Sequence, residues 1–440
     1  MPKWFLFGFY HTIKFITRRA LGVYFSEIKV RPSDIIIAKK QPTILVSNHP
    51  NTLLDPFCVA VRTSAMVHFL ANASLFKHPF ANWFLNTFYC IPISRPQDID
   101  GSQPLTNEAA FDRATSFLAS GSCLYIAPEG TSFIERCLRP LKTGTARIAF
   151  DAEQRHDFRL GLQIVPVGLN YSAPHQFRSR LLINVGKPIQ VADYQALFKK
   201  NSFEAARTLT DILEQKMQDL VLQTAGTAED AQLKRVETLL ESDQPLGVEK
   251  TYERSQRVLG ALRNLETTKP AAFSFFVKKL NAYHFQLKKN SVSDQNITDF
   301  TKNNCWSQFF DILKLIVGFP FFIYGFLPHA LPIFLPLLIV RLVRPYIGYV
   351  SAFKLLSGLI FFPIFYILLF ILSNFFLDNN YLAAIYLLTL PFFGWVAWGY
   401  WALAKRLFGN GRAASKLKNS QQTLVEDRIF LTKEIANFLI

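Results

Sequence analysis

Charged side chains are scarce: Asp, Glu, Lys and Arg make up 18% of the 440 residues, against 50% hydrophobic residues and 43 Phe. Soluble domains carry about a quarter of their residues charged, so part of this chain is built for an apolar solvent. Acid is scarcer than base, with 32 Asp and Glu against 48 Lys and Arg and a formal net charge of +16. Such an excess suits anionic lipid surfaces and phosphorylated substrates. Nucleic acid would use the same charge, but no recognition motif accompanies it, so no nucleic-acid partner is expected. The five cysteines, Cys58, Cys90, Cys123, Cys137 and Cys305, include no CxxC pair and leave an odd count. That argues against a disulfide framework and a zinc site; separately, no metal or cofactor is expected. A G-x-S-x-G elbow is missing, which excludes the usual serine-hydrolase layout. Near the start, most of the positive charge follows the aromatic cluster instead of leading it, so no signal peptide is expected. Neither the many spans nor the repeat symmetry of a transporter is present.

Charge is absent altogether from three long runs, Leu315 to Val340, Leu355 to Leu377 and Asn379 to Ala404. Each is long enough to reach across a hydrocarbon core of roughly 30 Å. The last two read as transmembrane helices, with Trp395, Trp398, Tyr400 and Trp401 as an interfacial belt. The first carries Pro320, Pro328, His329, Pro332 and Pro336, a pattern that predicts a bent or re-entrant segment. Arg341, Arg344 and Lys354 lie between the first and second runs, and Lys405, Arg406, Arg412, Lys416 and Lys418 follow the third. The excess of Lys and Arg expected on the cytoplasmic side then predicts a multi-pass protein whose catalytic domain faces the cytoplasm. Residues 1–25 mix Trp4, Phe5, Phe7, Phe9 and Phe15 with His11, Lys14, Arg18 and Arg19. Too interrupted to span, they predict an amphipathic helix lying in the headgroup region; packing on the protein's own core is the alternative.

Between Thr43 and Ile189 short apolar runs alternate with amphipathic segments. Ile44–Val46, Val67–Leu70, Ile91–Ser94, Leu124–Ala127, Gln163–Val167 and Leu181–Val185 read as strands, while Leu75–Phe88 and Glu108–Leu118 read as helices. Alternation of this kind implies an α/β layer fold, a central sheet flanked by helices. Phe76, Phe80, Trp83, Phe84 and Phe88 are expected mostly to pack inward. From residue 190 onward Lys, Glu, Gln and Leu become frequent, and Phe203–Leu222, Ala228–Leu240 and Val248–Leu265 have helical periodicity. The expected organisation is an amphipathic helix at 1–25, a catalytic domain at 26–195, a helical linker or insertion at 196–305, membrane segments at 306–404 and a basic tail at 405–440.

The stretch from Ile44 to Pro56 organises the rest. A strand gives way to a helix there, with Asp55-Pro56 read as its N-cap and first-turn proline. His49 falls in the turn at the strand's end. A neutral imidazole can take a proton from a substrate hydroxyl near pH 7, and a carboxylate on its other nitrogen fixes the tautomer and stabilises the imidazolium. Alone, a helix cap and a polar turn residue explain the pair equally well.

Asn48-His49-Pro50-Asn51 and Leu54-Asp55-Pro56 resemble the His…Asp block of the glycerolipid acyltransferase superfamily. Five residues, Pro50 to Leu54, separate the pair, one more than the usual spacing; this matches the variant in fungal-type glycerol-3-phosphate and dihydroxyacetone-phosphate acyltransferases and their bacterial relatives. Three further blocks follow in order across roughly residues 40 to 190. Cys90-Ile91-Pro92-Ile93-Ser94-Arg95-Pro96 resembles the second, which implies that Arg95 holds the acceptor's phosphate with its planar fork. Ala127-Pro128-Glu129-Gly130-Thr131-Ser132 resembles the third, with Glu129, Gly130 and Thr131 as substrate-binding positions; Ser132 replaces the usual arginine. Leu138-Arg139-Pro140-Leu141-Lys142-Thr143-Gly144 is similar to the fungal-type continuation and offers Lys142 as an anion-binding cation. Ile164 to Tyr171 resembles the fourth block, and Arg178 and Arg180 stand in the fungal-type stretch after it, Arg178 as a phosphate ligand.

The resemblance implies an α/β acyltransferase domain followed by a helical region and C-terminal transmembrane helices. It also implies an O-acyltransferase of phospholipid biosynthesis, moving a fatty acyl group from acyl-CoA or acyl carrier protein, as co-substrate, to glycerol-3-phosphate or dihydroxyacetone phosphate. Lysophosphatidate is the alternative acceptor, and a non-catalytic lipid-binding membrane protein is the alternative of another class.

Overall fold

The structure, a computed structural model, describes residues 3–35, 37–38, 40–87, 89–94, 107–302, 305–416 and 421–439. Arg95 and Phe88 lie outside the described residues. The chain forms two units, residues 1–226 with 345–352, and residues 227–344 with 353–440.

In the first unit α1 (Lys3–Tyr24) turns a polar side to the protein. Lys14 Nζ donates to the carbonyls of Thr63, at 2.5 Å, and Ala65, at 3.3 Å, and the Tyr10 hydroxyl accepts from Val67 N at 2.9 Å. Leu21 and Tyr24 are buried, while Trp4, Phe5, Phe7 and Phe15 are exposed. The helix therefore packs on its own domain and still presents an aromatic face outward.

The sheet holds β1 (Glu27–Arg31), β2 (Thr43–Ser47), β3 (Val67–Asn72), β4 (Cys90–Ile93), β5 (Cys123–Ile126), β6 (Gln163–Tyr171), β7 (Arg180–Val185) and β8 (Ile189–Gln190). Its order is β1-β7-β6-β2-β5-β3-β4, with β8 also on β6. Pairing is parallel except where β6 meets β7 and β8. β2 lies between β5 and β6, with Leu45 opposite Tyr125 and Val165, and all five of its residues are buried. That is why its sequence is an unbroken apolar run instead of an alternating one. Each expected strand is present; β1 and β8 were not expected, since β1 carries three charges in five residues.

Helices α2 (Leu54–Ala60), α3 (Pro79–Thr87), α4 (Glu108–Ala119), α5 (Gly144–Gln154), α6 (Gln195–Lys200) and α7 (Ser202–Gln218) surround the sheet. Ala114 and Leu118 of α4, Ile148 and Phe150 of α5 and Leu209, Leu213 and Met217 of α7 join Ile44, Leu124 and Ile164 in one core. Burying each of the Leu, Ile, Phe and Met side chains among them is worth about 1.5–3 kcal/mol. The chain after α7 returns to the sheet at Gly168, where a Cβ would sit 2.3 Å from the Leu220 carbonyl oxygen, so only glycine fits. The boundary expected at 195/196 thus falls at 226/227, because α6 and α7 cover this sheet.

Leu75–Phe88 is not one helix: a short 3-10 turn, Ala73–Phe76, precedes α3. Phe80, Trp83 and Phe84 do not pack inward either, with Phe80 65% exposed and Trp83 51%.

The second unit is helical: α8 (Thr227–Asp243), α9 (Val248–Thr268), α10 (Pro270–Asn290), α11 (Asp294–Lys302), α12 (Cys305–Val343), α13 (Val350–Leu377), whose first turn belongs to the first unit, α14 (Asn380–Lys416) and α15 (Gln421–Leu439). The region expected as a basic tail instead continues α14 to Lys416 and forms α15, whose Leu424, Leu431 and Ile435 are buried. Arg428 on α15 reaches Asp294, at 3.1 Å, and Asp243, at 3.0 Å, and the Tyr283 hydroxyl also donates to Asp294. That buried network ties α8, α10, α11 and α15 together.

Three helices, Trp306–Val343, Ile347–Leu377 and Asn380–Asn410, are long and apolar enough to cross a membrane, with mean hydropathies of 2.0, 2.7 and 1.6. Their apolar side chains are exposed around much of the circumference, Leu327, Ile367 and Leu388 among them, as suits lipid. Of the two expectations for the first, a bent or a re-entrant segment, the re-entrant one is corrected. α12 runs unbroken through Pro320, Pro328, Pro332 and Pro336. Small residues let α14 come close: a Cβ on Gly325 would sit 2.0 Å from the Phe393 carbonyl oxygen, and neighbours of this kind allow a helix to absorb proline in apolar surroundings. His329 is buried between Gly325 O, 2.6 Å from Nδ1, and the Tyr366 hydroxyl, 2.8 Å from Nε2.

Candidate active site

The site grows from the carboxyl end of β2, where ligands of open parallel sheets characteristically bind. Asn48 ends the strand by substituting its amide for a backbone pair. Its Nδ2 donates to Leu169 O at 3.0 Å and its Oδ1 accepts from Leu169 N at 2.7 Å. The turn that follows is thereby fixed to β6, and it carries His49.

His49 Nδ1 lies 3.0 Å from Oδ2 of Asp55, whose side chain is fully buried. The approach is close but off-line, so Nδ1 has no aligned hydrogen bond; catalytic bonds of this sort often tighten only with substrate in place. The same Oδ2 accepts from Asn51 N at 2.8 Å, and Oδ1 accepts from the Tyr171 hydroxyl at 2.7 Å. Asp55 is not the N-cap expected from the sequence. The helix begins at Leu54, one residue ahead of it, and the capping position, Leu53, makes no side-chain bond. The carboxylate instead folds back into the turn, which brings it to the imidazole. Nδ1 is buried against Asp55 while 21% of the side chain remains exposed, which leaves Nε2 as the ring nitrogen to meet a substrate hydroxyl.

The end of β5 supplies the opposite support. Glu129 Oε1 accepts from His49 N at 2.9 Å, and Oε2 accepts from Arg139 N at 3.1 Å. Burial pushes its carboxyl above the usual glutamate value, while the two amides pull it back. Both oxygens are thus occupied by backbone, so Glu129 holds the His49 turn. Gly130 follows at φ +73°, and a Cβ there would meet Lys142 Nζ at 2.6 Å. The lysine lies across this glycine, just ahead of α5, exposed to solvent and apart from the cleft wall.

An open cleft of about 460 Å³ lies over these groups. Asn48, His49, Glu129, Arg136, Leu169 and Tyr171 are among its walls, with Phe133, Leu138 and Leu222 as apolar lining. Arg136 is the cation that sequence reading missed; no local signal marks it, because it stands in the loop between the third block and Lys142. Arg139 stacks on Phe133, 4.5 Å from the ring centroid. Thr131, next after Gly130, is half-buried and is not part of this wall. Arg178 is placed elsewhere: at φ +65°, it donates from N to Tyr24 O at 2.7 Å and from Nη1 to Val23 O at 3.3 Å. It caps the last carbonyls of α1, a common use of arginine at a helix end. Of the expected site residues, the structure brings together His49, Asp55, Glu129 and Gly130, and sets Arg178 apart.

A family model described as Acyltransferase matches residues 27–170, the stretch that contains the whole His49, Asp55 and Glu129 arrangement. That stretch is an acyltransferase-family domain. Over 108 residues, 24% of this chain, the sequence is 34% identical to an uncharacterised acyltransferase of Schizosaccharomyces pombe, of which it covers 16%. Glycerol-3-phosphate O-acyltransferase 1 of Saccharomyces cerevisiae is 33% identical over 117 residues, 26% of this chain and 15% of that protein. The chain therefore spans only a small part of the length of the curated relatives it matches. Among solved structures, the 1-acyl-sn-glycerophosphate (LPA) acyltransferase from Thermotoga maritima aligns at 18% identity and a TM-score of 0.35, over 48% of this chain and 79% of that one.

Proposed function

We propose that this protein transfers a fatty acyl group from a thioester, acyl-CoA or acyl carrier protein, to a hydroxyl of glycerol-3-phosphate or dihydroxyacetone phosphate. The observation that carries the proposal is His49 at the wall of a cleft, with Asp55 buried 3.0 Å behind its Nδ1. His49 Nε2 takes the acceptor's hydroxyl proton as the oxygen attacks the thioester carbonyl. The tetrahedral intermediate collapses, the C–O ester bond remains, the C–S bond breaks, and the imidazolium returns its proton to the leaving thiolate. Asp55 orients the ring and balances its charge in between. No covalent acyl-enzyme is needed.

Glycerol-3-phosphate is favoured as acceptor because the yeast relatives so named share the matched stretch. The apolar helices support action at a lipid membrane, with the catalytic domain on its cytoplasmic side. Purified full-length protein in nanodiscs, given either donor with glycerol-3-phosphate, dihydroxyacetone phosphate or lysophosphatidate, tests the reaction. Transfer to glycerol-3-phosphate at the highest kcat/KM is the expected result. Lipid binding without transfer to any of the three would instead identify a non-catalytic lipid-binding protein.

A further inference from the structure

The catalytic turn is held from a third direction. Residues 345–352 run from just after α12 into the first turn of α13, yet they belong to the same unit as the sheet. Thr52 Oγ1 donates to Gly348 O at 2.8 Å across 296 positions of sequence. Ser351 Oγ donates to Pro174 O at 2.6 Å, and the same carbonyl accepts from Asn51 Nδ2 at 2.8 Å. The Tyr346 hydroxyl donates to Ser132 O at 3.2 Å, and the Ser132 hydroxyl donates to the carbonyl of His49 itself. Gly348, Ser351 and Ala352 are buried, so this is a packed contact. A Cβ on Gly348 would lie 3.1 Å from Thr52 Cγ2.

Thr52 is the reason this contact bears on chemistry. It sits at φ +37°, a conformation that costs a β-branched residue about 1–3 kcal/mol and persists only where the surroundings over-determine it. The bond to Gly348 is one of the interactions that do so. Thr52 lies between His49 and Asp55 in the chain, so its conformation sets how the imidazole meets the carboxylate.

We propose that Tyr346, Gly348 and Ser351 form a positioning strap that holds the Asn51–Thr52 turn, and through it His49 against Asp55. The proposal rests on the acyltransferase reading for its chemistry.

The test compares Thr52→Val, which keeps the shape but loses the donor, with Thr52→Ser, which keeps the donor, and with Ser351→Ala and Tyr346→Phe, all in the full chain in nanodiscs. Misplacing a catalytic group slightly can cost up to about a hundredfold. Thr52→Val and Ser351→Ala should lower kcat roughly tenfold with both KM values within about twofold, Thr52→Ser should stay near wild type, and amides of residues 48–55 should exchange faster in the first two and in Tyr346→Phe. Unchanged kcat per folded molecule together with unchanged exchange at 48–55 overturns the strap. If the wild-type chain transfers no acyl group, the functional reading fails by itself, and exchange at 48–55 still decides the strap: faster in the variants sustains it, unchanged overturns it.

Discussion

The Tyr171 hydroxyl donates to Asp55 Oδ1 at 2.7 Å from the last position of β6, 116 residues along the chain. Both groups are buried, and the phenol also lies 3.7 Å from the Cys58 thiol. Two donors, Tyr171 and Asn51 N, therefore pin the carboxylate at both oxygens and leave its Oδ2 edge beside His49. The fourth sequence block thus reaches the catalytic centre through its final residue. Tyr171→Phe should leave a buried carboxylate oxygen short of a donor, at about 1–3 kcal/mol of stability. Thermal unfolding should show that loss, and steady-state kinetics a several-fold fall in kcat with KM nearly unchanged. Equal stability would mean that water replaces the phenol.

His49→Ala should lower turnover by about 10² to 10⁴-fold, the usual contribution of a general base. Asp55→Asn separates orientation from packing. Asparagine can accept from Asn51 N, but it brings an amide in place of a charge beside the imidazole, so kcat should fall while the helix stays folded. A folded His49→Ala protein that retains more than a few per cent of activity would exclude histidine as the base.

Glu129 gives a prediction in which activity and stability part. Burial holds its native carboxyl above the ordinary value of 4.5. A raised native value means that this group's contribution to stability is fully present below about pH 4.5 and is lost as pH rises through the native value. Glu129→Gln removes the titration, so its stability relative to wild type should improve as pH climbs through that window. Activity should move the other way. Glutamine accepts through one oxygen only and turns an NH₂ toward the second amide, so the hold on either His49 N or Arg139 N is lost. Melting curves from pH 4 to 7 and kcat at pH 7 check both halves.

Much of the architecture is legible in the sequence because its signals are local. The apolar run at Ile44–Val46 marks a strand covered on both faces, and the alternation with amphipathic segments marks the layers. His49 and Asp55 are legible through the block they resemble. What escapes is whatever depends on long-range placement. Proline spacing in α12 predicts a break, but close packing of Gly325 against α14 supplies surroundings that the local pattern cannot show. Asp55-Pro56 reads as a cap because caps are common there, whereas Asn51 N and the Tyr171 hydroxyl draw the carboxylate into the turn. Arg178 reads as a free cation until the end of α1 arrives beside it.

The acceptor's phosphate needs a cation within reach of His49, and the positions offered by the sequence blocks do not all supply one. Ser132 stands where the usual arginine would, with its hydroxyl on the His49 carbonyl. Arg178 is drawn to α1, and Lys142 lies exposed over Gly130. Arg136 shares the cleft wall with His49 and Leu169, so the acceptor's phosphate is expected on its guanidinium. A bidentate bond to a charged group is worth about 1.5–3 kcal/mol. Arg136→Ala should therefore raise KM for glycerol-3-phosphate by roughly tenfold or more, and Arg136→Lys, which keeps charge without the fork, by less. The KM of the acyl donor should change little in both, since only one substrate carries the phosphate held here. Arg178→Ala should leave both KM values near wild type and lower the melting temperature, because its bonds are to carbonyls at the end of α1. Arg95→Ala, measured beside them, decides between the two candidates. A rise in acceptor KM for Arg95→Ala with none for Arg136→Ala would return the phosphate to the second block.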